Sequence, residues 1–503
     1  MFKDFTSTEI DKVMSNAWNA FHAYKKFSLR ARASFMRAVA AALEAAGDAL
    51  IQTAMSETHL PEARLRAERG RTVLQLRQYA DACEKAEWME ISIDTAIPDK
   101  NPRLNNSVGQ VPKPDLRKMM VPLGPVVVFG ASNFPFAYST AGGDTATAFA
   151  AGCPVIVKAH PAHAKTSQVV ADIILKVAAE NNMPNGIFSH VQGAGFETGK
   201  ALVMHPHTKA VGFTGSYAGG KQLFDWANQR KEPIPVFSEM GSVNPVYLLP
   251  EKLNTSASDI AMMYAASITL GVGQFCTNPG LIIGIESSAL QTFIHDLGKA
   301  IQKTAPAPML HAGIVKAYKE NKGNALLQEG VHLVAESETE VKADEGLPTI
   351  ATVDAQTFLN NPVLHKEVFG PYSLVIRCRN QNEMLQVAQQ MEGQLTSTLM
   401  ATENDIRNNE ALIDAVQNTC GRLILNSVPT GVEVCLSMHH GGPFPSTTDA
   451  RYTSVGADAI KRFARPICYQ NWSNELLPDE LKNENPLSIM RRVNNTWTND
   501  VIK

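Results

Sequence analysis

The segment Pro154-Val155-Ile156-Val157-Lys158 is a short apolar run that ends in a lysine, and a helical stretch from Thr166 to Asn181 follows it. Because β-branched residues favour buried strands, this order is typical of a βαβ unit. Further strand-like runs lie at 121–130, 187–191 and 210–213, with helical stretches at 145–151, 195–204 and 217–230. The alternation predicts a mostly parallel sheet that binds ligands at the carboxyl ends of its strands.

A second series of the same kind begins at Pro245. Its strand-like runs are 245–249, 280–285, 350–353, 372–378 and 421–425, with helical stretches at 261–270 and 290–304. We therefore expect an α/β protein with two parallel-sheet domains in series. The patterns at 30–53 and 61–88 predict amphipathic helices packed on this body, 97–114 reads as a loop, and roughly the last thirty residues resemble an arm or tail.

The composition excludes several classes of protein. The chain has 503 residues, of which 44% are hydrophobic and 19% charged, and its formal net charge is −3. Without a basic field, neither a nucleic acid nor an anionic membrane is an expected partner. No run approaches the roughly 18 apolar residues of a membrane span. The seven cysteines are dispersed and the N-terminus shows no apolar leader, so we expect free thiols and a cytoplasmic location.

One cysteine lies in a distinctive segment, Gly271-Val272-Gly273-Gln274-Phe275-Cys276-Thr277-Asn278-Pro279-Gly280. A thiolate is a strong nucleophile, and the glycines would let a substrate or cofactor approach closely. Backbone N–H groups beside the sulfur could hold a developing oxyanion. No second cysteine follows at metal-ligand spacing, so no metal is expected. A buried structural cysteine in a glycine-rich turn is the alternative interpretation.

Two candidate residues follow strand-like runs. Asn133, in Gly130-Ala131-Ser132-Asn133-Phe134-Pro135-Phe136, is placed to donate its side-chain amide to an oxyanion. It could equally be a turn asparagine before a proline-containing loop. Lys158 could hydrogen-bond ribose hydroxyls or a phosphate, or could be a solvated lysine at the end of a strand.

Two further segments suggest a cofactor turn and a base. Phe213-Thr214-Gly215-Ser216 joins a strand to a helix, where exposed N–H groups bind phosphate well, although a purely structural turn has the same appearance. It lacks the G-x-G-x-x-G spacing of the common dinucleotide fingerprint. Glu239 lies between apolar and small residues, where burial would raise its pKa toward neutrality, as a general base requires. A capping or surface-loop glutamate is the alternative.

In chain order these segments resemble the aldehyde dehydrogenase superfamily over nearly the whole chain. The motifs are N-F-P-F at 133–136, V-I-V-K at 155–158, F-T-G-S at 213–216, E-M-G at 239–241, Q-F-C-T at 274–277 and K-E-V-F-G-P at 366–371. Wider segments at 61–72, 132–137, 142–145, 239–245, 273–280 and 431–442 resemble one branch. That branch contains bacterial 2-oxoglutarate semialdehyde (2,5-dioxopentanoate) dehydrogenases and the NADP-dependent fatty aldehyde dehydrogenase.

The resemblance implies a role for each matching residue. Cys276 would attack the aldehyde carbon, and the Asn133 amide with the Cys276 N–H would stabilise the oxyanion. Glu239 would activate the water that hydrolyses the resulting thioester, so release of a free acid is expected rather than transfer to coenzyme A. The cofactor-binding residues would be Lys158, His160, Phe213, Gly215, Ser216, Glu367 and Phe369.

The cofactor preference can be argued at the position three residues after Lys158. NAD-preferring relatives often carry a glutamate there, which repels a 2′-phosphate, whereas this chain has Pro161 beside His160. Since nothing in this segment repels the phosphate and Lys158 could pair with it, we expect NADP to be preferred, with NAD as the alternative.

The expected reaction is oxidation of 2-oxoglutarate semialdehyde to 2-oxoglutarate. A medium- or long-chain fatty aldehyde dehydrogenase is the alternative on the same scaffold, because the sequence does not show which arginine would bind a substrate carboxylate. A non-redox cysteine hydrolase that pairs Cys276 with a histidine, and an inactive binding protein, are alternatives of other classes. His439 and His440 fit the branch, and either one approaches the active-site mouth or both are ordinary loop histidines.

The resemblance also implies a division of the chain. The cofactor-binding domain would comprise 1–102 and 121–240 with a return segment near 435–460, and the catalytic domain 241–434. An oligomerisation arm would comprise 103–120 and 465–503, giving a homodimer or homotetramer.

Overall fold

A computed structural model of the protein describes residues 4–97 and 113–503. The α-helices of this part are α1 Ser7–Tyr24, α2 Leu29–Ala45, α3 Gly47–Thr58, α4 Glu62–Lys85, α5 Gly143–Ala151, α6 Ala164–Glu180, α7 Phe196–Met204, α8 Tyr217–Asn228, α9 Pro250–Thr269, α10 Ser288–Gln302, α11 Ala312–Leu326, α12 Ala355–Asn360, α13 Gln381–Gln390, α14 Glu403–Arg407 and α15 Glu410–Thr419. The strands are β1 Ser92–Asp94, β2 Leu116–Pro122, β3 Val126–Phe129, β4 Val155–Lys158, β5 Phe188–Val191, β6 Ala210–Thr214, β7 Val236–Glu239, β8 Val246–Leu248, β9 Leu281–Ile285, β10 Ala307–Pro308, β11 His332–Glu336, β12 Glu345–Gly346, β13 Thr349–Asp354, β14 Tyr372–Cys378, β15 Gln394–Met400, β16 Cys420–Leu425, β17 Ala464–Gln470, β18 Arg491–Val493 and β19 Thr496–Thr498.

The first sheet has the order β5-β4-β3-β6-β7, and all its pairs are parallel. Its strands β3 and β4 are valine-rich and buried except at their last residues, Phe129 and Lys158, as expected where helices cover both faces of a sheet. The register sets Phe129 opposite Lys158 on one side and opposite Phe213 on the other. One step further, Thr214 pairs with Glu239. Four strands therefore end along one edge of the sheet, and the expected α/β fold is confirmed.

The second sheet has the order β11-β13-β14-β9-β8-β15-β16, and only the β11–β13 pair is antiparallel. Strand β15 has no counterpart in the sequence prediction. Its Thr-Ser-Thr centre is polar, yet all seven residues are buried. Of the three hydroxyls, that of Thr396 donates to Asn244 at 2.9 Å, whereas those of Ser397 and Thr398 are buried without a hydrogen-bond partner in the described part of the chain. A search for apolar runs does not find such a strand.

A third sheet has the order β17-β2-β1-β18-β19 and pairs the chain's last strands with β1 and β2. Most of it falls in the two segments expected to form an arm, although β1 does not. Residues 103–112 of the expected arm lie outside the described residues.

Two predicted elements are each divided in the structure. The run 121–130 is split between β2 and β3, because Gly124 has φ +138° and Pro125 has no N–H to donate to a ladder. The helix expected over 30–53 is two helices, α2 and α3, which meet at Gly47 with φ +69°. The N-terminal helices do pack on the sheet body, as expected, with the ring of Phe35 5.1 Å from that of Phe149. No helix of the described residues has the length and apolar character needed to span a membrane.

Candidate active site

Cys276 lies on a loop that glycines hold against a neighbouring loop. Gly271, Val272 and Gly273 all have positive φ, between 55° and 64°. A Cβ on Gly273 would lie 2.3 Å from the carbonyl group of Gly370, so only glycine fits at this position. The sequence suggested that these glycines admit a substrate or cofactor. At Gly273 the space that a Cβ would fill is occupied by the backbone of Gly370, so the close approach on that side is between two backbone segments.

Asn244 fixes the loop from the other side. Its fully buried amide donates to the carbonyl oxygens of Cys276 and Asn278, both at 2.9 Å. Its φ of +46° is in the left-handed region, which asparagine tolerates better than most residues. The backbone carrying the thiol is therefore held by a buried side chain for which the sequence analysis proposed no role.

Replacing Asn244 with alanine is expected to destabilise the protein by about 2–4 kcal/mol, because two buried carbonyls lose their donor and alanine disfavours positive φ. The measurement is the free energy of unfolding from urea denaturation. The matched control is Asn418→Ala, since Asn418 is exposed and donates only to Asp414 of its own helix. Equal stability of the two variants would contradict the assigned role of Asn244.

The thiol belongs to a compact cluster with one histidine and one carboxylate. The Cys276 Sγ lies 3.6 Å from the Nε2 atom of His440, and the same nitrogen lies 3.1 Å from the Oε1 atom of Glu239. Both partners are almost fully buried, whereas Cys276 is half-buried. The Oε2 atom of Glu239 accepts a hydrogen bond of 2.8 Å from the Ser454 hydroxyl. The thiol is therefore accessible to a small molecule, whereas the histidine and the carboxylate beside it are buried.

A segment late in the chain brings His440 to this place. Thr447 forms a β-bridge with Glu239 at the end of β7, and the N–H of Met240 donates to the Ser446 carbonyl. The His440 N–H donates to Thr453 Oγ1, and the Ser454 N–H donates to the carbonyl of His440. Residues 440–454 thus form a folded loop along the edge of the first sheet. Of the two alternatives for the histidine pair, His440 lies at the thiol.

The protonation of the cluster differs from the sequence expectation. Burial raises the pKa of Glu239, but the charge and hydrogen bond of His440 and the Ser454 hydrogen bond outweigh it, so the pKa is lowered. The expected shift toward neutrality is therefore wrong for this residue. Burial and the negative charge of Glu239 raise the pKa of the Cys276 thiol well above its usual value. The resting pair is a thiol beside a carboxylate.

Asn133 contacts the thiol loop at the backbone of Gln274 and not at Cys276 itself. Its Nδ2 donates to the Gln274 carbonyl at 3.1 Å, and its own carbonyl accepts from Arg64 at 2.8 Å. Among the described residues, none accepts a hydrogen bond from the Cys276 N–H. The Asn133 amide thus contacts the loop one peptide away from Cys276 and uses one of its two N–H groups there.

The candidate cofactor residues of the first sheet lie along its carboxyl edge. Lys158 ends β4 and Phe213 lies near the end of β6, in the same row of the ladder. A Cβ on Gly215 would lie 2.6 Å from the ring of Phe213, so any side chain at position 215 would collide with that ring. Ser216 caps helix α8 by accepting the Gly219 N–H at 3.2 Å. The first-turn N–H groups of α8 face the same edge.

The surroundings of Lys158 contain one feature that the local sequence does not show. Burial lowers the pKa of Lys158, and the carboxylate of Asp4 opposes this shift. Asp4 accepts the Ala194 N–H at 2.7 Å, beyond the end of β5. His160 caps the Ala162 N–H, and burial with His163 nearby holds its pKa well below the usual value. Lys158 is therefore a partly buried amine within electrostatic reach of the Asp4 carboxylate.

Glu367 and Phe369 lie on the side of the second sheet. They line a cleft together with Ser242, Gly273 and Phe275, next to the thiol loop. A Cβ on Gly241 would lie 2.6 Å from Glu367 Oε2. Burial raises the pKa of Glu367 to about 7, although the Ser242 N–H acts against this. The candidate residues thus form two groups, one at the sheet edge and one beside Cys276.

Several residues that meet at this site could not be assigned a role from the sequence. Ser454 lies in a segment with no recognisable pattern, and Asn244 lies in the segment 239–245, which was quoted for the branch resemblance. Arg71 and Arg422 lie on a helix and a strand far apart in the chain. Arg71 and His440 belong to segments quoted for the branch resemblance, which was the only available signal. Their roles depend on tertiary contacts.

The chain belongs to the aldehyde dehydrogenase family, whose sequence profile matches residues 1–465. It is 47% identical over 483 residues to alpha-ketoglutaric semialdehyde dehydrogenase 2 of Azospirillum brasilense, covering 96% of this chain and 90% of that protein. It is 42% identical over 499 residues to an alpha-ketoglutaric semialdehyde dehydrogenase of Acinetobacter baylyi, covering 99% and 93%. Among solved structures, a succinic semialdehyde dehydrogenase of Streptococcus pyogenes in complex with NADP+ has the same fold, with a TM-score of 0.76 at 17% identity, covering 93% of this chain and 96% of that one. The expected family and branch are confirmed.

Replacing His440 with asparagine is expected to move the acidic limb of the kcat profile to higher pH by about one unit. The imidazole lowers the pKa of Glu239, while burial raises it, so the pKa rises once the imidazole is removed. A base acts only above its pKa, and the active range therefore starts at a higher pH. The control is His439→Asn, because His439 is not in contact with Glu239. A profile that shifts equally in both variants would contradict the assignment.

Proposed function

We propose that this protein oxidises 2-oxoglutarate semialdehyde (2,5-dioxopentanoate) to 2-oxoglutarate, with a nicotinamide dinucleotide as the hydride acceptor. The observation that carries the proposal is the cluster of Cys276, His440 and Glu239, a half-buried thiol beside a buried base. The relatives at 47% and 42% identity, matched over nearly their full length, support the choice of substrate.

The residues present fit a dinucleotide. Phosphate and ribose oxygens could bind at the edge of the first sheet. That edge carries the glycine turn at Gly215, the capped N-terminus of α8 and the amine of Lys158. Glu367, with Phe369 beside it, would accept hydrogen bonds from the nicotinamide ribose next to the thiol loop. The bound cofactor would supply a two-electron acceptor for the hydride.

The first half of the reaction depends on deprotonation of Cys276. Because the pKa of this thiol is raised, a neighbouring base must take its proton, and Glu239 and His440 are both within reach. The sulfur then bonds to the aldehyde carbon, and the carbonyl π electrons move to the oxygen. The Asn133 amide and the Cys276 N–H would donate to that oxyanion. Departure of the hydride leaves a thioester on Cys276.

The second half is hydrolysis. Glu239 would remove a proton from a water molecule as its oxygen attacks the thioester carbon. Collapse of the tetrahedral species breaks the C–S bond, returns the thiolate and releases the carboxylate. The lowered pKa of Glu239 keeps it ionised at neutral pH, which a base requires. Its hydrogen bonds from His440 and Ser454 would hold the carboxylate in place between the two steps.

The cysteine hydrolase alternative needs a histidine that uses one ring nitrogen for the thiol and the other for an acid. In this protein the Nε2 atom of His440 serves both Cys276 and Glu239. Its Nδ1 atom has no hydrogen-bond partner in the described part of the chain. This arrangement does not support a relay of that type.

The test is a panel of aldehydes with both cofactors, followed by the absorbance of the reduced nicotinamide. We expect 2,5-dioxopentanoate to give a higher kcat/KM than either pentanal or decanal. A higher kcat/KM with decanal would favour the fatty aldehyde alternative, and formation of no reduced nicotinamide with any aldehyde would refute the oxidoreductase assignment.

We further propose that NADP is preferred, because Lys158 ends β4 at the edge where the cofactor would bind and position 161 is a proline without a carboxylate. Asp4 acts in the opposite direction. The ratio of kcat/KM with NADP to that with NAD should therefore exceed one and should rise in an Asp4→Asn variant. A ratio below one would refute the preference. The domain division, the assembly as a dimer or tetramer and the cytoplasmic location stay predictions.

A further inference from the structure

Arg71 presents an unpaired charge toward the thiol. It lies on α4, and its Nη2 donates to the Tyr138 hydroxyl at 3.3 Å while its guanidinium lies 5.6 Å from the centre of that ring. The ring of Tyr138 is 6.5 Å from that of His440, whose Nε2 contacts Cys276. Among the described residues, no carboxylate oxygen lies within the 4.0 Å ion-pair distance of Arg71. Its buried Nε–H has no acceptor there either.

Arg422 is a second cation of the same kind. It lies on β16, where its guanidinium donates to the carbonyls of Pro429 and Gly431 and reaches the Met438 sulfur at 4.0 Å. Its Nε–H is likewise buried without an acceptor, and no carboxylate of the described residues pairs with it. Burial lowers the pKa of Arg422, and the charges of Cys276 and Tyr138 oppose this shift. Arg422 therefore lies within electrostatic reach of the thiol.

The two other charged side chains of α4 at this place already have partners. Arg64 donates to the Asn133 carbonyl and lies against the rings of Phe134 and Phe275. Glu68 accepts the N–H groups of Phe136 and Ala137, and burial raises its pKa to about 7, which reduces its negative charge at neutral pH. Arg64 likewise pairs with no carboxylate of the described residues, and its Nη1 is buried without an acceptor, but its guanidinium is engaged with the Asn133 carbonyl and two rings. Arg71 and Arg422 are the two cations that interact with Tyr138.

We propose that Arg71 and Arg422 bind the carboxylate of the substrate while its aldehyde carbon lies at Cys276. This inference rests on the proposed function. Three carbons separate the carboxylate of 2,5-dioxopentanoate from its aldehyde carbon, a span of about 5 Å in the extended chain. Guanidinium groups pair with carboxylates through two parallel hydrogen bonds, which fixes the orientation of the substrate. A long alkyl chain would instead take solvent away from these half-buried charges without giving them a partner, which is unfavourable.

The test compares two aldehydes of five carbons, 2,5-dioxopentanoate and pentanal, in the full-length enzyme. In Arg71→Gln we expect the ratio of kcat/KM for 2,5-dioxopentanoate to that for pentanal to fall about 100-fold, mainly through KM. Lysine has the positive charge of arginine but lacks the paired N–H donors of its guanidinium. The fall in the ratio should therefore be smaller in Arg71→Lys than in Arg71→Gln. The matched control is Arg77→Gln on the same helix, where the arginine is exposed and pairs with Glu44. Its ratio should equal that of the wild type.

Arg422→Gln provides the second measurement, because Arg422 also holds the loop at 429–431. A fall in the same ratio supports its place in the subsite, whereas an equal loss on both aldehydes assigns it to the loop and overturns the pair. An unchanged ratio in Arg71→Gln overturns the proposal outright. If the wild type itself shows no preference for 2,5-dioxopentanoate over pentanal, it is the proposed substrate that fails.

Discussion

Replacing Cys276 with serine is expected to lower kcat for aldehyde oxidation by on the order of 10⁴-fold or more. The hydroxyl is similar in size, so the loop held by Asn244 and Gly273 should keep its shape. It is a far weaker nucleophile at neutral pH than a thiol whose proton can pass to Glu239 or His440. The measurement is the steady-state rate of reduced nicotinamide formation.

The control for this substitution is Cys435→Ser, because Cys435 is exposed and is absent from the cluster. It should retain the wild-type rate. Mass spectrometry of the wild-type enzyme mixed with substrate should also find the acyl adduct on the peptide that contains Cys276. An active Cys276→Ser enzyme, or an adduct on another cysteine, would contradict the whole mechanism.

Replacing Glu239 with glutamine is expected to separate the two halves of the reaction. If Glu239 activates the hydrolytic water, the variant should still form the thioester when His440 can take the thiol proton. It should then release about one equivalent of reduced nicotinamide per site in a burst, followed by turnover slowed about 10²- to 10³-fold. Rapid-mixing absorbance measurements distinguish the burst from the slow phase.

Glu338→Gln serves as the control, since Glu338 is exposed and distant from the cluster along the chain. It should show neither the burst nor the slow phase. Loss of the burst in Glu239→Gln would show that the carboxylate is already needed to deprotonate Cys276. Of the two bases within reach of the thiol, Glu239 and not His440 would then accept its proton.

The sequence was sufficient for those parts of the fold that depend on short-range patterns. The valine-rich runs identified β3 and β4, and glycine after a strand indicated the turn at Gly215. It failed where burial is achieved with polar residues, as in β15, and where a single Gly-Pro pair ended one strand and began another. These outcomes depend on which neighbours are available to accept a hydroxyl or an N–H.

The candidate site shows the same division. Cys276, Glu239 and Asn133 lie in motifs, and the structure brings the first two together. The pKa of Glu239 could not be predicted, because its direction depends on His440, more than two hundred residues later in the chain. The effect of Asp4 on Lys158 likewise crosses from the N-terminus to the sheet edge. Charge at a site is set by contacts that the local sequence does not contain.

The loop at 440–454 lies against β7 through the bridge between Glu239 and Thr447. Because a ribosome makes the chain from its N-terminus, Cys276 and Glu239 are synthesised well before the histidine and serine that complete their surroundings. A nascent chain therefore carries the thiol for some time without its final acid–base partners. When the late segment docks and the site closes, burial raises the pKa of the thiol, so the docked state carries less thiolate than the undocked chain.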